Sequence, residues 1–90
     1  MMRLDKYLQT TGLVPRRERA KQACDAGLIE IDGKPAKPSA EVRVGQQITL
    51  KLGMRISVYE VLQIAERPVA RERREEYRRL VSEERVELEL

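Results

Sequence analysis

The fold of this chain is decided within one short stretch, Ala26-Gly27-Leu28-Ile29-Glu30-Ile31-Asp32-Gly33-Lys34. Gly27 stands where a preceding helix would end. The residues from Leu28 to Ile31 have the apolar, β-branched character of a strand, and Asp32-Gly33 is a strong signal for a tight hairpin turn. The stretch therefore predicts a change from helix to sheet at Leu28.

Two short helices are predicted upstream of this change. Apolar residues recur at helical spacing from Leu4 to Thr11, which indicates a first helix over about 3–11 that Gly12 ends. Pro15 suits the opening of a second helix. One narrow face of that helix carries small residues, which allow a neighbouring element to approach closely: Ala20, Ala23, Cys24 and Gly27.

A small sheet is predicted downstream. Residues 42–44 and 48–52 are expected to form a strand pair around a turn at Gly45, and residues 55–62 a third strand. These segments are short and are separated by turn residues, which is typical of antiparallel pairing.

The C-terminal part is predicted to be helical. Residues 69–85 are rich in Arg and Glu, both good helix formers. The expected fold class is α+β: two N-terminal helices packed on a small, mainly antiparallel sheet, with a C-terminal helix. We divide the chain into a domain over 1–65 and a charged helical extension over 66–90.

The composition excludes several classes of protein. The 90 residues include no His and one Cys, which excludes an internal disulfide and a Cys-cluster zinc site. We find no positioned pair of nucleophile and base, and no apolar run near the 18 or so residues that a membrane span needs. We therefore expect a cytoplasmic protein that is not an enzyme and has no metal, cofactor or membrane attachment. The net charge of +3 is compatible with a polyanionic partner.

A basic surface is predicted on the two helices. Arg17 and Lys21 share one flank of the second helix, Arg16 lies near its start, and Arg3 and Lys6 share one side of the first helix. If the helices pack through their apolar faces, these flanks merge into the clustered cations that phosphate binding needs. The alternative for Arg16 and Arg17 is a solvated helix start.

Residues 3–52 resemble the S4 RNA-binding domain family. The resemblance rests on these segments, in the family's order: Arg3-Leu4-Asp5-Lys6-Tyr7-Leu8, Arg16-Arg17 with Ala20, Ala26 to Lys34, Lys37-Pro38-Ser39, Val42, and Val44-Gly45-Gln46-Gln47-Ile48. Gln46 is a departure, because the family usually has Asp there, and we expect it to alter only a turn. The resemblance implies the S4, or alpha-L, RNA-binding fold.

The resemblance also implies which residues bind RNA. Arg3 and Arg17 are expected to bind phosphate from two packed helices, with Lys6, Arg16 and Lys21 next in importance.

Three further residues belong to this expected site. Asp5 is expected to orient a neighbouring Arg through a charge-assisted hydrogen bond; the alternative is a favourable charge in the first turn of a helix. Lys34 and Lys37 flank the sheet turns and are expected to extend the footprint, with solvated loop lysines as the alternative.

The whole chain is similar to free-standing S4 proteins of the heat-shock protein 15 and ribosome quality control protein P type, and its length favours the second. This similarity implies a monomeric binding module for the large ribosomal subunit that carries peptidyl-tRNA. The expected partners are large-subunit ribosomal RNA, tRNA and a factor that extends the stalled nascent chain.

Three alternative hypotheses for the function are a recycling factor for free large subunits, a protein-interaction adaptor that uses the C-terminal helix, and a shortened RNA-modifying enzyme. Deleting residues 69–90 is expected to cost an adaptor its partner, whereas an RNA-binding module would keep most of its RNA affinity.

Overall fold

The computed structural model describes residues 2–65, 67 and 69–86. Its elements, in chain order, are β1 (Met2–Arg3), α1 (Leu4–Thr10), α2 (Arg17–Asp25), β2 (Ile29–Ile31), β3 (Lys34–Pro35), β4 (Glu41–Val42), β5 (Gln47–Leu52), β6 (Arg55–Val61), a 3₁₀ helix (Arg71–Glu76) and β7 (Arg78–Arg85). The predicted α+β class, with N-terminal helices and an antiparallel sheet, is confirmed. Neither helix in the described ranges is long and apolar enough to cross a membrane.

Both N-terminal helices lie where the sequence predicts them. α1 carries Asp5 in its first turn and ends at Thr10, with Thr11 as its C-cap. Gly12 then adopts a φ of +76°, a left-handed conformation that glycine reaches at little cost. α2 begins two residues after Pro15 and buries its small side chains, Ala20, Ala23 and Cys24. These small side chains let α2 lie close to α1 and to β2.

Five strands form one antiparallel sheet in the order β3-β2-β5-β6-β7. The predicted hairpin at Asp32-Gly33 joins β2 to β3, and both turn residues have positive φ, +49° and +83°, as a type I′ turn requires. β3 ends at Pro35, which has no amide hydrogen to extend the pairing. β6 pairs with β5 along its length, so the predicted third strand is confirmed.

The predicted pairing of residues 42–44 with 48–52 is wrong. β4 pairs instead with β1, with Val42 opposite Met2, and these two strands form a separate small sheet. Val42 is buried, whereas Val44 is 62% exposed, and the Gly45 amide donates to the Val61 carbonyl on β6. The two apolar residues therefore face different surroundings, and the chain between them leaves β4 before β5 begins.

The predicted C-terminal helix is also wrong. Among the described residues after 65, helical structure is confined to Arg71–Glu76, in a 3₁₀ conformation, and β7 pairs with every residue of β6. A surface helix gains only about 0.2–0.5 kcal/mol from each i,i+4 ion pair. The strand satisfies the backbone groups along the β6 edge, and this long-range pairing overrides local helix propensity. The predicted helix over 69–85 is therefore replaced by a 3₁₀ helix and a strand. Residues 66, 68 and 87–90 of the predicted extension lie outside the described residues, and the division after residue 65 stays a prediction.

The hydrophobic core is built from both helices and the central strands. Its fully buried side chains include Leu4 and Leu8 from α1, Ile29 from β2 and Ile48 from β5. Tyr7 from α1 joins this core and is 1% exposed. The core therefore fixes α1 and α2 against one another, which sets the position of the charged residues on their outer sides.

Candidate nucleic-acid interface

Asp5 lies at the centre of the charged residues that the sequence singles out. Its carboxylate is fully buried. Arg3 donates from Nε to Oδ1 and from Nη2 to Oδ2, each at 3.2 Å. Arg17 places its Nε 3.3 Å from the same Oδ2. One buried acid thus holds two arginines from different elements, β1 and α2.

The backbone around Asp5 fixes the carboxylate. The Lys6 amide donates to Asp5 Oδ1 at 2.8 Å, as expected in the first turn of a helix, where amide hydrogens lack partners within the helix. The Asp5 amide itself donates to the Pro38 carbonyl at 3.1 Å. The predicted contact of Asp5 with a neighbouring Arg is present, and Asp5 also occupies the favourable first-turn position.

The guanidinium groups of Arg3 and Arg17 each contact Asp5 on one side and solvent on the other. Their side chains remain 43% and 41% exposed, although both contact a fully buried acid. The Arg17 Nε is enclosed, and within the described residues it has an ion pair but no hydrogen bond of good geometry. Each guanidinium carries five N–H donors, so several donors on each side chain still face the solvent. We name this group, Arg3, Asp5 and Arg17, the arginine cluster.

The other predicted cations are distributed around the arginine cluster. Lys6 lies on α1 one turn beyond Arg3 and is half-buried, while Arg16 precedes α2 and Lys21 lies one turn along α2 from Arg17, both exposed. These three positions continue the basic surface along the two helices.

Lys37 and Lys34 differ in their relation to the cluster. Lys37 lies in the connection between β3 and β4, next to the Pro38 carbonyl that binds the Asp5 amide. Lys34 lies on the edge strand β3, and no hydrogen bond or ion pair among the described residues joins its side chain to the cluster. The structure thus brings Lys37 near the cluster and leaves Lys34 on another element.

Arg74 and Arg78 were missed by the sequence reasoning. Arg78 donates from Nε to the Thr11 carbonyl at 3.1 Å and lies 5.3 Å from the centre of the Tyr59 ring. Arg74 packs its side chain against Gly12. Both reach the end of α1 from the C-terminal segment, and no local pattern in that segment signals a contact with residues more than 60 positions earlier.

The tyrosine and cysteine near the cluster are structural. The Tyr7 hydroxyl donates to the Tyr77 carbonyl at 2.8 Å, and burial raises the pKa of this hydroxyl strongly. Burial, with the nearby charges of Asp5 and Asp25, raises the pKa of the Cys24 thiol to about 11. Both groups are therefore neutral at physiological pH, and Tyr7 presents no open ring face on which a base could stack.

Acidic and thiol groups do not gather into a metal site in the part of the chain that the structure describes. The arginine cluster has a single carboxylate, and that carboxylate is already bound by two cations. The chemistry available at this surface is the binding of anions by fixed, partly exposed arginines.

Comparison with known proteins finds one matching family model and several similar proteins. Residues 2–48 match the model of the S4 domain. The chain is 46% identical over 63 residues to an RQC P-site tRNA stabilizing factor of Helicobacter pylori, covering 70% of this chain and 75% of that protein. It is 34% identical over 86 residues to the Streptococcus pneumoniae factor of the same name, covering 96% and 97%.

A solved structure is also similar over most of the chain. Heat shock protein 15 of Vibrio cholerae, described as trimeric, superposes with a TM-score of 0.83 at 27% sequence identity. The similarity covers 90% of this chain and 82% of that one. It includes more of the chain than the family model, which ends at residue 48.

Proposed function

We propose that this chain, which belongs to the S4 domain family, binds the large ribosomal subunit that carries peptidyl-tRNA and stabilises the tRNA in the P site. The observation that carries the proposal is the arginine cluster, in which one buried carboxylate holds two partly exposed arginines. The relatives named as P-site tRNA stabilizing factors support the choice of RNA partner.

The cluster suits the backbone of a folded RNA. A guanidinium is a planar fork that matches the oxygens of a phosphate, and it keeps its charge at every physiological pH. Asp5 restrains both side chains before RNA arrives, so less rotamer freedom is lost when a phosphate binds. Because the two arginines come from separate elements held by the core, their spacing is fixed, and recognition depends on where phosphates lie in the folded RNA.

The footprint extends from the cluster over the neighbouring cations. Lys6, Arg16 and Lys21 continue it along the helices, Lys37 continues it along the β3–β4 connection, and Lys34 contributes at its far side. Four to six phosphate contacts correspond to a slope of about −3 to −5 in a plot of log affinity against log salt concentration.

The ribosomal partners follow from the same proposal. The protein contacts large-subunit ribosomal RNA and tRNA together, and so favours subunits on which both are present. By holding the tRNA it assists the factor that extends the stalled nascent chain. It works in the cytoplasm, by binding and without catalysis.

A second candidate is the recycling of free large subunits that retain a nascent chain, and the similarity to heat shock protein 15 favours it. The adaptor hypothesis assumed a C-terminal helix as the docking element. Residues 71–85 instead form a 3₁₀ helix and a strand.

The test compares two variants of the cluster with a matched control. Arg3→Gln and Arg17→Gln each remove one charge, and we expect each to weaken binding to peptidyl-tRNA-bearing large subunits by about tenfold or more. Arg55→Gln removes one charge at the far end of β6, where Arg55 is paired with Glu83, and we expect it to bind like the unmodified chain. Binding is measured by sedimentation, with subunits lacking tRNA in parallel.

Two results would count against the proposal. If both cluster variants travel with the large subunits as the control does, the cluster is not the RNA site. If the unmodified protein binds subunits equally with and without tRNA, the P-site role is wrong.

A further inference from the structure

A groove lies between α1 and the C-terminal segment, about one helical turn from the arginine cluster. Its volume is about 240 Å³. It is lined by Lys6, Gln9, Thr10, Pro15, Val69 and Arg74. Among these described residues two are cations and none is acidic, so their side chains together carry a positive charge.

We propose that this groove is a second phosphate-binding site, in which Arg74 and Lys6 hold a backbone phosphate of the same RNA that the arginine cluster binds. The inference rests on the proposed function and adds the C-terminal segment to the RNA footprint. The ligand is a phosphodiester of a folded RNA.

Arg74 is positioned by its contact with Gly12. A Cβ atom at residue 12 would lie 2.7 Å from Arg74 Nη1 and 3.1 Å from its Cδ, so a side chain there would displace the Arg74 guanidinium from this place. The positive φ of Gly12 favours glycine at the same position. The guanidinium of Arg74 therefore lies directly on the backbone where α1 ends.

Arg74 differs from its neighbour Arg73 in how its charge is compensated. Arg73 is exposed and donates to Glu76 at 3.2 Å. Arg74 turns into the groove, its Nε is enclosed, and among the described residues it has neither a hydrogen-bond acceptor for that atom nor an ion-pair partner. A half-buried guanidinium without an acid is suited to an anion that comes from outside the chain.

The segment that carries Arg74 is fixed to α1. The Tyr7 hydroxyl and the Leu62 amide both donate to the Tyr77 carbonyl, at 2.8 and 2.9 Å. The next residue, Arg78, donates to the Thr11 carbonyl at 3.1 Å. These bonds hold the end of the 3₁₀ helix against the end of α1, so Arg74 keeps its place without RNA.

The groove and the arginine cluster form one continuous surface. Lys6 lies three residues after Arg3 in the chain and itself lines the groove, and Gln9 and Thr10 follow it one turn further along α1. An RNA strand that contacts Arg3 can therefore continue past Lys6 into the groove. This continuity favours RNA over an acidic peptide, because an RNA strand carries a phosphate at every nucleotide and can place successive phosphates on the cluster and in the groove.

The first test uses two adjacent arginines that carry the same charge. Arg74→Gln is expected to weaken binding to peptidyl-tRNA-bearing large subunits by about fivefold to thirtyfold and to reduce the salt slope by about one. Arg73→Gln removes the same charge one residue away, and we expect the affinity and slope of the unmodified protein.

The outcomes separate this inference from the proposed function. If Arg74→Gln binds as Arg73→Gln does while Arg3→Gln binds weakly, the groove is not an RNA site and the proposed function stands. If the unmodified chain fails to bind large subunits at all, both are wrong. If Arg74→Gln loses affinity for an acidic peptide but not for the subunits, the groove's ligand is protein and the inference is overturned.

A second measurement needs no variant and so does not depend on whether Arg74→Gln folds. Phenylglyoxal modifies exposed arginines, and its products are quantified residue by residue by mass spectrometry. We expect large subunits with peptidyl-tRNA to protect Arg74 several-fold in the unmodified protein and to leave Arg73 unchanged. Equal rates with and without subunits at Arg74, with Arg3 protected, would overturn the inference.

Discussion

At the scale of single residues, Asp5 determines the geometry of the candidate site without being able to bind RNA itself. It is a buried acid whose two oxygens are bound by Arg3, Arg17 and the Lys6 amide. A buried charge is tolerated when it is paired and hydrogen-bonded, as this one is. Removing it would leave two arginines of like charge close together with nothing between them.

Asp5→Asn tests this positioning role. Asparagine has the same shape, but its lost charge removes the ion pair with Arg17 and weakens the hydrogen bonds from Arg3. We expect the free energy of unfolding to fall by about 1–3 kcal/mol and the affinity for peptidyl-tRNA-bearing subunits to fall by about tenfold, measured by denaturant titration and sedimentation at a temperature where the variant is folded.

Glu83→Gln is the matched control for this substitution. It removes the same charge from an exposed acid on β7 that is paired with Arg55, and we expect neither property to change. If Asp5→Asn matched Glu83→Gln in affinity, the orientation of the arginines by Asp5 would not matter for binding.

The sequence predicts the cluster residues better than it predicts the groove. Arg3, Asp5 and Arg17 belong to runs that resemble a known family, and their helical spacing places them on adjacent elements. Arg74 has no such signal, because its site depends on Gly12, which lies 62 positions earlier in the chain. Only the folded chain brings the two together.

At the scale of elements, structure that depends on local sequence was predicted correctly, and structure that depends on long-range strand pairing was not. The helices and the hairpin at Asp32-Gly33 were predicted, because spacing and turn chemistry within a few residues determine them. The pairing of β1 with β4 and the strand β7 were not, since each depends on an edge formed elsewhere in the chain. Favourable helix propensity over residues 69–85 could not reveal that edge.

Truncation after Glu76 tests the role of β7. The earlier expectation was that loss of the C-terminal segment spares RNA binding. The structure gives a different expectation for stability, because β7 pairs with the edge of β6 and the Tyr77 carbonyl accepts the hydrogen bond from Tyr7. We now expect a loss of at least about 2 kcal/mol in the free energy of unfolding, from exposure of side chains on β6 and loss of the Tyr7 bond.

Circular dichroism during denaturant titration measures this loss, and a chain that ends at Val86 serves as the control because it keeps all of β7. A truncated chain as stable as that control would show that β7 adds nothing to the fold.

At the scale of the whole molecule, two neutral buried groups predict a loss of stability at alkaline pH. The pKa of Cys24 is raised from 9.0 to about 11, and the pKa of Tyr7 is raised as well, in both cases first by burial. The folded chain therefore keeps protons that the unfolded chain releases as the pH rises above 9. Stability that is fully present below pH 8 is lost progressively between about pH 9 and 11.

Cys24 alone contributes of the order of 2 kcal/mol to this loss. Denaturant titrations from pH 7 to 11 measure it, and Cys24→Ala is expected to decline less steeply between pH 8.5 and 10. An identical decline in the variant would mean that the Cys24 thiol does not stay protonated in the folded chain.

The oligomeric state also belongs to this scale. The monomer expected from the sequence stays a prediction, while the structurally similar heat shock protein 15 is described as trimeric. The outer strand β7 is rich in Arg and Glu, and its pairing with β6 has a bulge near Val58 and Tyr59. Charged and bulged edge strands resist pairing with other chains, although β7 also exposes Leu80 and Val81.

The hydrogen bond from Tyr7 to the Tyr77 carbonyl spans 70 residues of a 90-residue chain. During synthesis the acceptor emerges from the exit tunnel long after α1 does. The N-terminal helix must therefore form before this bond can close. The contact between α1 and the C-terminal segment is completed only after residue 77 has been synthesised and has left the tunnel.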